Sequence, residues 1–281
     1  MMRIIFYDVE HGSCTHIITP NNKHILIDVG SKTERSIVDY ICAKYFYGRS
    51  GRIDELIITH PHVDHIFDLP NLYNRLKPKI LHRAPAAFDI EPTSGTQLHV
   101  NIASIANDMN ATYNSPVSKE DDIETPENVG GVKIKIIPSV AKLQDKNDLN
   151  TFSSLIIVEY GGFKFVLTGD NPKNQLQYMM DNDYMKIKTL IANATVLLAP
   201  HHGRTGEFCK DFFDCVNPRL TIISDKSIEH TTQEESSSIY KGRGANLEGR
   251  DRYVLTTRND GDISFNVSMR SCSISMNKED Y

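Results

Sequence analysis

The sequence predicts an α/β (α+β) fold, in which short strands and helices follow one another along the chain. Three observations predict it. Apolar runs of strand length recur, among them Leu56-Ile57-Ile58, Phe165-Val166-Leu167 and Val196-Leu197-Leu198. Helical spacing lies between such runs, as at Ile37, Ile41 and Tyr45. Several strands also end in residues able to hold a metal: Asp28, His60, Asp170 and the pair His201-His202. A carboxylate or imidazole at a strand end, where glycine lets the backbone turn sharply, is delivered to one edge of a sheet.

The elements follow in order. Residues 3–9, 15–19 and 24–28 read as strands, with Asn21-Asn22 as a hairpin signal between the last two. Residues 31–46 carry a helical pattern stopped by Gly48 and Gly51, and 53–59 form a buried strand. A helix over 68–76 ends before Pro78. Residues 83–130 break this rhythm with Pro85, Pro92, Pro116, Pro126 and the acidic run Glu120-Asp121-Asp122. One amphipathic helix is expected there, over 97–109, with Leu98, Ile102, Ile105 and Met109 as its apolar stripe. The stretch reads either as an elaboration shaping a pocket or as a plain surface insertion. A second strand series covers 132–137, 154–160 and 163–167, the last two joined by Gly161-Gly162. A helix over 172–181 and strands over 196–199, 220–224 and 253–257 complete a second, similar half.

Composition narrows the class. The 281 residues suit one sizeable domain spanning 1–281, and 40% hydrophobic with 24% charged residues is ordinary for a globular protein. A formal net charge of −5 supplies no global field for nucleic acid, so binding of a polyanion would need a local patch. No run approaches the roughly 20 apolar residues that span a bilayer, and the N-terminus lacks a signal-peptide core. The five cysteines (Cys14, Cys42, Cys209, Cys215, Cys272) are scattered, without a CxxC pair. They read as reduced core thiols, which points to a cytoplasmic protein. The oligomeric state is left open.

His60-Pro61-His62-Val63-Asp64-His65 carries the chemistry. Three imidazoles and a carboxylate on one turn after a strand suit zinc, manganese or iron(II) far better than they suit a solvated loop. With Thr168-Gly169-Asp170 and Pro200-His201-His202-Gly203 after two further strands, the chain resembles the metallo-β-lactamase fold superfamily. It is most similar there to the ComEC-like hydrolases of DNA uptake. Asp8-Val9-Glu10-His11-Gly12-Ser13, Tyr160-Gly161-Gly162-Phe163 and Thr256-Thr257-Arg258-Asn259-Asp260-Gly261-Asp262 are similar to that group's opening, central segment and closing hairpin.

The resemblance implies a four-layer αββα sandwich, with the insertion around 83–130, holding two divalent metal ions, Zn²⁺ or Mn²⁺. One ion would take His60, His62 and a histidine from His201-His202. The other would take Asp64, His65 and the same histidine or solvent, with Asp170 bridging; His202 aligns better than His201 as the ligand. Many superfamily members place one more histidine ligand before the bridging Asp. Here the interval offers only His82 and His99, neither at a strand end, and like the ComEC group it carries Asn150 to Ser154 instead. That leaves one site oxygen-rich and manganese as well suited as zinc. In the opening, His11 and Ser13 replace the group's Gln and Asp. His11 is either an acid/base group or a loop histidine, and His230 and Asp225 have a similar standing. His16 and His24 read as structural.

The activity so implied is metal-dependent phosphodiester hydrolysis, by a nuclease acting on DNA or RNA through water activated at a dinuclear centre. Asp64, His230 and His11 are the candidate acid/base residues. Arg204 and Lys226 near the metals, and Lys241 and Arg243 in a glycine-containing basic loop, are candidates for binding phosphate; the loop reads equally as solvated surface. A controlling protein partner fits a nuclease, because unrestrained cleavage would be harmful. The rival readings are a hydrolase of small phosphodiesters, esters or lactams, and a metal-stabilised module without catalysis.

Overall fold

Period-two alternation along the strands decides how two sheets face each other. The computed structural model describes residues 1–226, 235–247 and 249–278. One sheet contains β1 (Met2–Phe6), β2 (Thr15–Ile18), β3 (His24–Ile27), β4 (Ile53–Ile57), β5 (Pro78–His82), β14 (Asp262–Val267) and β15 (Cys272–Asn277), in the order β15-β14-β1-β2-β3-β4-β5. The other contains β6 (Lys133–Ile137), β7 (Leu155–Tyr160), β8 (Phe163–Leu167), β9 (Val196–Leu198), β10 (Leu220–Ile223) and β13 (Val254–Thr256), in the order β13-β10-β9-β8-β7-β6. A separate hairpin pairs β11 (Ala245–Leu247) with β12 (Arg250–Arg252).

The inner strands, such as β3, β9 and β10, bury both faces, which is why they read as continuous apolar runs, whereas the edge strands β6 and β15 keep one face partly open. From β1, Ile4 and Phe6 enter the central core while Ile5 points the other way. From β8, Phe165 and Leu167 enter the same core and Val166 faces outward. Phe165 and Phe6 each meet the Phe265 ring edge-on, with centroids 5.3 and 6.1 Å apart. The outer face of the seven-stranded sheet is covered by α1 (Ile37–Tyr45), α3 (Leu69–Arg75) and α4 (Gln97–Thr112) through Ile41, Leu72, Ile102 and Met109. The outer face of the other is covered by α5 (Lys173–Asn182), α6 (Tyr184–Ile191) and α7 (Lys210–Val216) through Met179, Ile187 and Phe212. This is the expected αββα sandwich. Among the described residues no helix is long and apolar enough to cross a membrane.

Several boundaries differ from the sequence reading. Helix α1 begins six residues later than its periodicity suggests. Ser36 caps it, accepting from the Asp39 amide at 3.0 Å, while Asp68 accepts from Ser36 Oγ and the Val38 amide. In α4 the buried stripe is Ile102, Ala103, Ala106 and Met109, and Leu98 is exposed. The segment expected as a closing hairpin is instead a helical turn, α8 (Thr257–Asp260), which carries the chain from β13 in one sheet to β14 in the other. Helices α6 and α7 and strands β14 and β15 carry patterns too short or too polar to stand out in sequence.

Parallel pairing within each sheet places the site. Strands β3, β4 and β5 run parallel, as do β8, β9, β10 and β13. The loops leaving β3, β4, β8, β9 and β10 therefore collect at the carboxyl edges of the two sheets.

Candidate metal centre

The loop after β4 delivers the histidine cluster. Thr59 and His60 follow the strand, and α2 (Val63–Ile66) then carries Asp64 and His65 on its first turn. Asp170 follows β8 in a tight turn at Gly169, whose φ is +52°. A Cβ there would lie 3.0 Å from the Thr59 Cβ, so glycine allows the two sheet edges to approach. After β9, His201 and His202 both adopt left-handed backbone, with φ of 48° and 54°. Two such residues in succession are costly without glycine, a strain that concentrates at functional positions.

These loops bring four donors together. Ligating atoms of Asp64, His65, Asp170 and His202 all lie within 4.8 Å of one another. His202 Nε2 is 3.2 Å from Asp64 Oδ2 and 3.4 Å from Asp170 Oδ2, and His65 Nε2 is 3.2 Å from Asp170 Oδ1. Two further histidines flank Asp170 more loosely: His60 Nε2 at 4.0 Å and His201 Nε2 at 3.9 Å from Oδ2. His62 Nδ1 lies 3.0 Å from His60 Nε2. All seven candidate ligands thus gather in one place, His62 through its contact with His60, with His202, rather than His201, in the tight group.

The second nitrogen of each inner imidazole is already committed. Asp28 accepts from His65 Nδ1 at 2.8 Å and also from the amide and hydroxyl of Thr59. The Ser224 carbonyl accepts from His202 Nδ1 at 2.8 Å. Both bonds leave a lone pair on Nε2, and both Nε2 atoms are buried without a hydrogen-bond partner. Lone pairs of two imidazoles thus meet two carboxylates in a largely buried space at the base of a cleft, an arrangement that repels itself unless a proton or cation sits among them. Burial opposes an imidazolium at His202, yet Asp170 and Asp64 outweigh it and raise its pKa to about 10. Burial likewise works against a charged Asp170, and the His65 and His202 rings overcome it, holding the carboxyl well below its usual range. This donor set fits a divalent metal ion.

A cleft of about 600 Å³ opens over these groups. Its walls include Glu10, His11, Asn150, Arg204 and Lys226, and from the 83–130 segment Thr93 and His99. The segment thus contributes to the pocket as well as to the outer helix layer. His11 Nε2 lies 3.7 Å from Asp64 Oδ2, and its ring is tilted against that of His202 with centroids 4.5 Å apart. Burial, and then the His202 charge, lower the His11 pKa to about 4. Asn150 Oδ1 is buried and unpartnered beside the cleft.

Other expectations land elsewhere. Asp28, read as a strand-end metal donor, instead orients His65. His99 lies on the cleft wall with Nδ1 near the hydroxyls of Thr93 and Ser94, and His82 pairs across from Ile57 on β5; neither joins the donor group. Asp225 is buried against Arg258 at 3.0 Å. Lys241 and Arg243 are a correction: both lie at the far end of the sheet, because parallel pairing sends the starts and ends of β9 and β10 to opposite edges. Arg243 donates to the Asn217 carbonyl before β10, and Lys241 sits over the Tyr253 ring. His230 lies outside the described residues. His16 and His24 are structural as expected, 3.0 Å apart in a buried chain with Tyr7. Sequence reasoning missed Glu207, whose carboxylate lies 3.9 Å from His201 Nδ1, and the Ser224 carbonyl, since backbone acceptors carry no sequence signal.

Comparison with known proteins agrees with this architecture. Residues 7–214 match the family described as the Metallo-beta-lactamase superfamily. ComE operon protein 3 of Bacillus subtilis is 26% identical over 235 residues, covering 77% of this chain and 27% of that protein. Endoribonuclease YSH1 of Gibberella zeae is 22% identical over 209 residues, covering 69% of this chain and 24% of that protein. The chain therefore spans about a quarter of the length of these curated relatives. The crystal structure of YhfI from Bacillus subtilis, a metallo-beta-lactamase fold protein, superposes with a TM-score of 0.52 at 12% identity, covering 94% of this chain and 100% of that one; this likeness concerns the fold.

Proposed function

The chain belongs to the metallo-beta-lactamase superfamily, and from that premise we propose that it is a metal-dependent phosphodiesterase whose substrate is nucleic acid. The observation that carries the reading is the pair of buried, unpartnered Nε2 atoms on His65 and His202 converging on Asp64 and Asp170. His60, His62 and His201 complete the set of residues that would hold two ions, Zn²⁺ or Mn²⁺. Bound there, such ions polarise a phosphodiester and lower the pKa of water toward neutrality.

The protein's own groups supply the rest. Asp64, which lines the cleft, would orient an attacking water and take its proton. Arg204 and Lys226 line the same cleft and would hold the phosphate oxygens, offsetting charge that builds on them in the transition state. His11 lines the cleft with its Nε2 3.7 Å from Asp64 Oδ2 and would contact the substrate. Nucleic acid is favoured over a lactam because these two cations flank the donors, and because relatives include a protein named as an endoribonuclease.

The test is cleavage by protein loaded with Mn²⁺ or Zn²⁺. Wild type is expected to cut a bis-aryl phosphodiester and at least one of single-stranded DNA, double-stranded DNA or RNA. His62→Ala and Asp170→Ala are expected to lower both rates by at least a thousand-fold, in the range that metal-centre chemistry supplies. Equal rates in wild type and both variants defeat the mechanism. Turnover of the small diester with every polymer left intact would move the substrate to small phosphodiesters, for which a 600 Å³ cleft is also large enough.

A further inference from the structure

A second cavity, of about 550 Å³, lies at the far edge of the sandwich from the metal donors. It is bounded by the start of β8 at Phe163, the residues before β9 and β10, the β11–β12 hairpin and the face of β15. Its polarity is graded. Phe265, Leu220 and Ala194 form a buried floor. Phe163, Leu247, Cys272, Ile274 and Met276 pack against the central core from its margin and stay only partly buried. The core is therefore left open along this edge, where a contiguous apolar surface is uncommon in a protein without a ligand or partner for it.

The rim is cationic. Arg219 and Arg243 line the cavity and are exposed, and among the described residues that line it there is no Asp or Glu. Arg243 is held beside Arg219 by the backbone: its amide donates to the Pro218 carbonyl, and that of Gly244 to the Arg219 carbonyl. Gly242 permits this approach, since a Cβ there would lie 2.7 Å from both the Pro218 and Arg219 carbonyl oxygens. The backbone thus sets two arginines next to each other on the rim, and among the described lining residues no carboxylate accompanies them, an arrangement that favours an anion.

We propose that this cavity binds an anionic amphiphile, with an acyl chain on the apolar floor and a carboxylate or phosphate head at Arg219 and Arg243. A nucleotide fits less well, because the buried residues are apolar and offer no partner to a base's polar edge. The site is independent of the metal chemistry.

Isothermal titration of the full chain with decanoate, below its micellar concentration, tests this. One saturating site is expected, with decanol and decylammonium each at least ten-fold weaker. Arg219→Gln with Arg243→Gln, at two exposed positions that leave the core intact, is expected to weaken decanoate at least ten-fold without changing melting temperature or metal content. No saturable binding, equal binding of decanol, or an unchanged affinity in the double variant overturns the proposal. So does binding confined to phosphatidylglycerol vesicles with none to free decanoate, which would make the surface a membrane contact rather than a site for a soluble ligand.

Discussion

Asp28 shows how a residue with the chemistry of a metal ligand can act one step behind the metal. Its carboxylate is wholly buried and accepts from Thr59 and from His65 Nδ1, which fixes the tautomer that aims His65 Nε2 at Asp170. Losing such a partner costs metal affinity about 10- to 100-fold in related arrangements. Asp28→Asn is expected to weaken metal binding by that factor while the fold is kept, as read by competition with a chromophoric chelator and by circular dichroism. Affinity equal to wild type would show that His65 needs no anchor. At this scale the sequence was most legible where donors crowd: His60, His62, Asp64 and His65 announce themselves within six residues. Asp28 did not declare its role, because a ligand and the acceptor that orients a ligand have the same side chain.

Strand β4 buries a carboxyl group. Glu55 is buried in it between Ile25 and Ile80 on the neighbouring strands, and burial, reinforced by Asp122, pushes its pKa up to about 8. The folded protein therefore holds a proton that the unfolded chain releases above its ordinary range near 4.5. The stability tied to this group is complete below pH 4.5 and is lost as pH rises through 8. Glu55→Gln is expected to be more stable than wild type by about 2–4 kcal/mol at pH 8.5, and nearly equal to it at pH 4.5. Urea denaturation at the two pH values measures this; an identical difference at both would mean that the carboxyl is not the source. Element boundaries were less legible than element types. Residues 31–36 share the helical spacing of α1, but Asp68, distant in sequence, holds the Ser36 cap in place and starts the helix there.

Across the whole molecule, the donor group ties the two sheets together. Asp64 and His65 come from the seven-stranded sheet, Asp170 and His202 from the six-stranded one. A metal bound only by the folded state adds about 2.7 kcal/mol at a hundred-fold excess over its Kd. Chelation is accordingly expected to lower the melting temperature by about 5–10 °C, restored by Zn²⁺ or Mn²⁺. Scanning calorimetry with and without chelator checks it, and coincident transitions would remove the centre from the stability of the fold.

The sequence by itself determined the alternating elements and the layered class, because two-face burial writes itself as apolar runs and helical stripes. It also determined which residues could hold a metal, because ligand chemistry resides in side-chain type. Only the tertiary structure decided that His202 joins Asp64, His65 and Asp170 most closely. It alone separated Arg204 and Lys226 at the cleft from Arg243 at the opposite edge, and it alone turned the 83–130 segment toward the cleft. The physical reason is the same in each case: proximity depends on strand direction and sheet order, which are set by long-range packing of both sheets and leave no trace in local spacing.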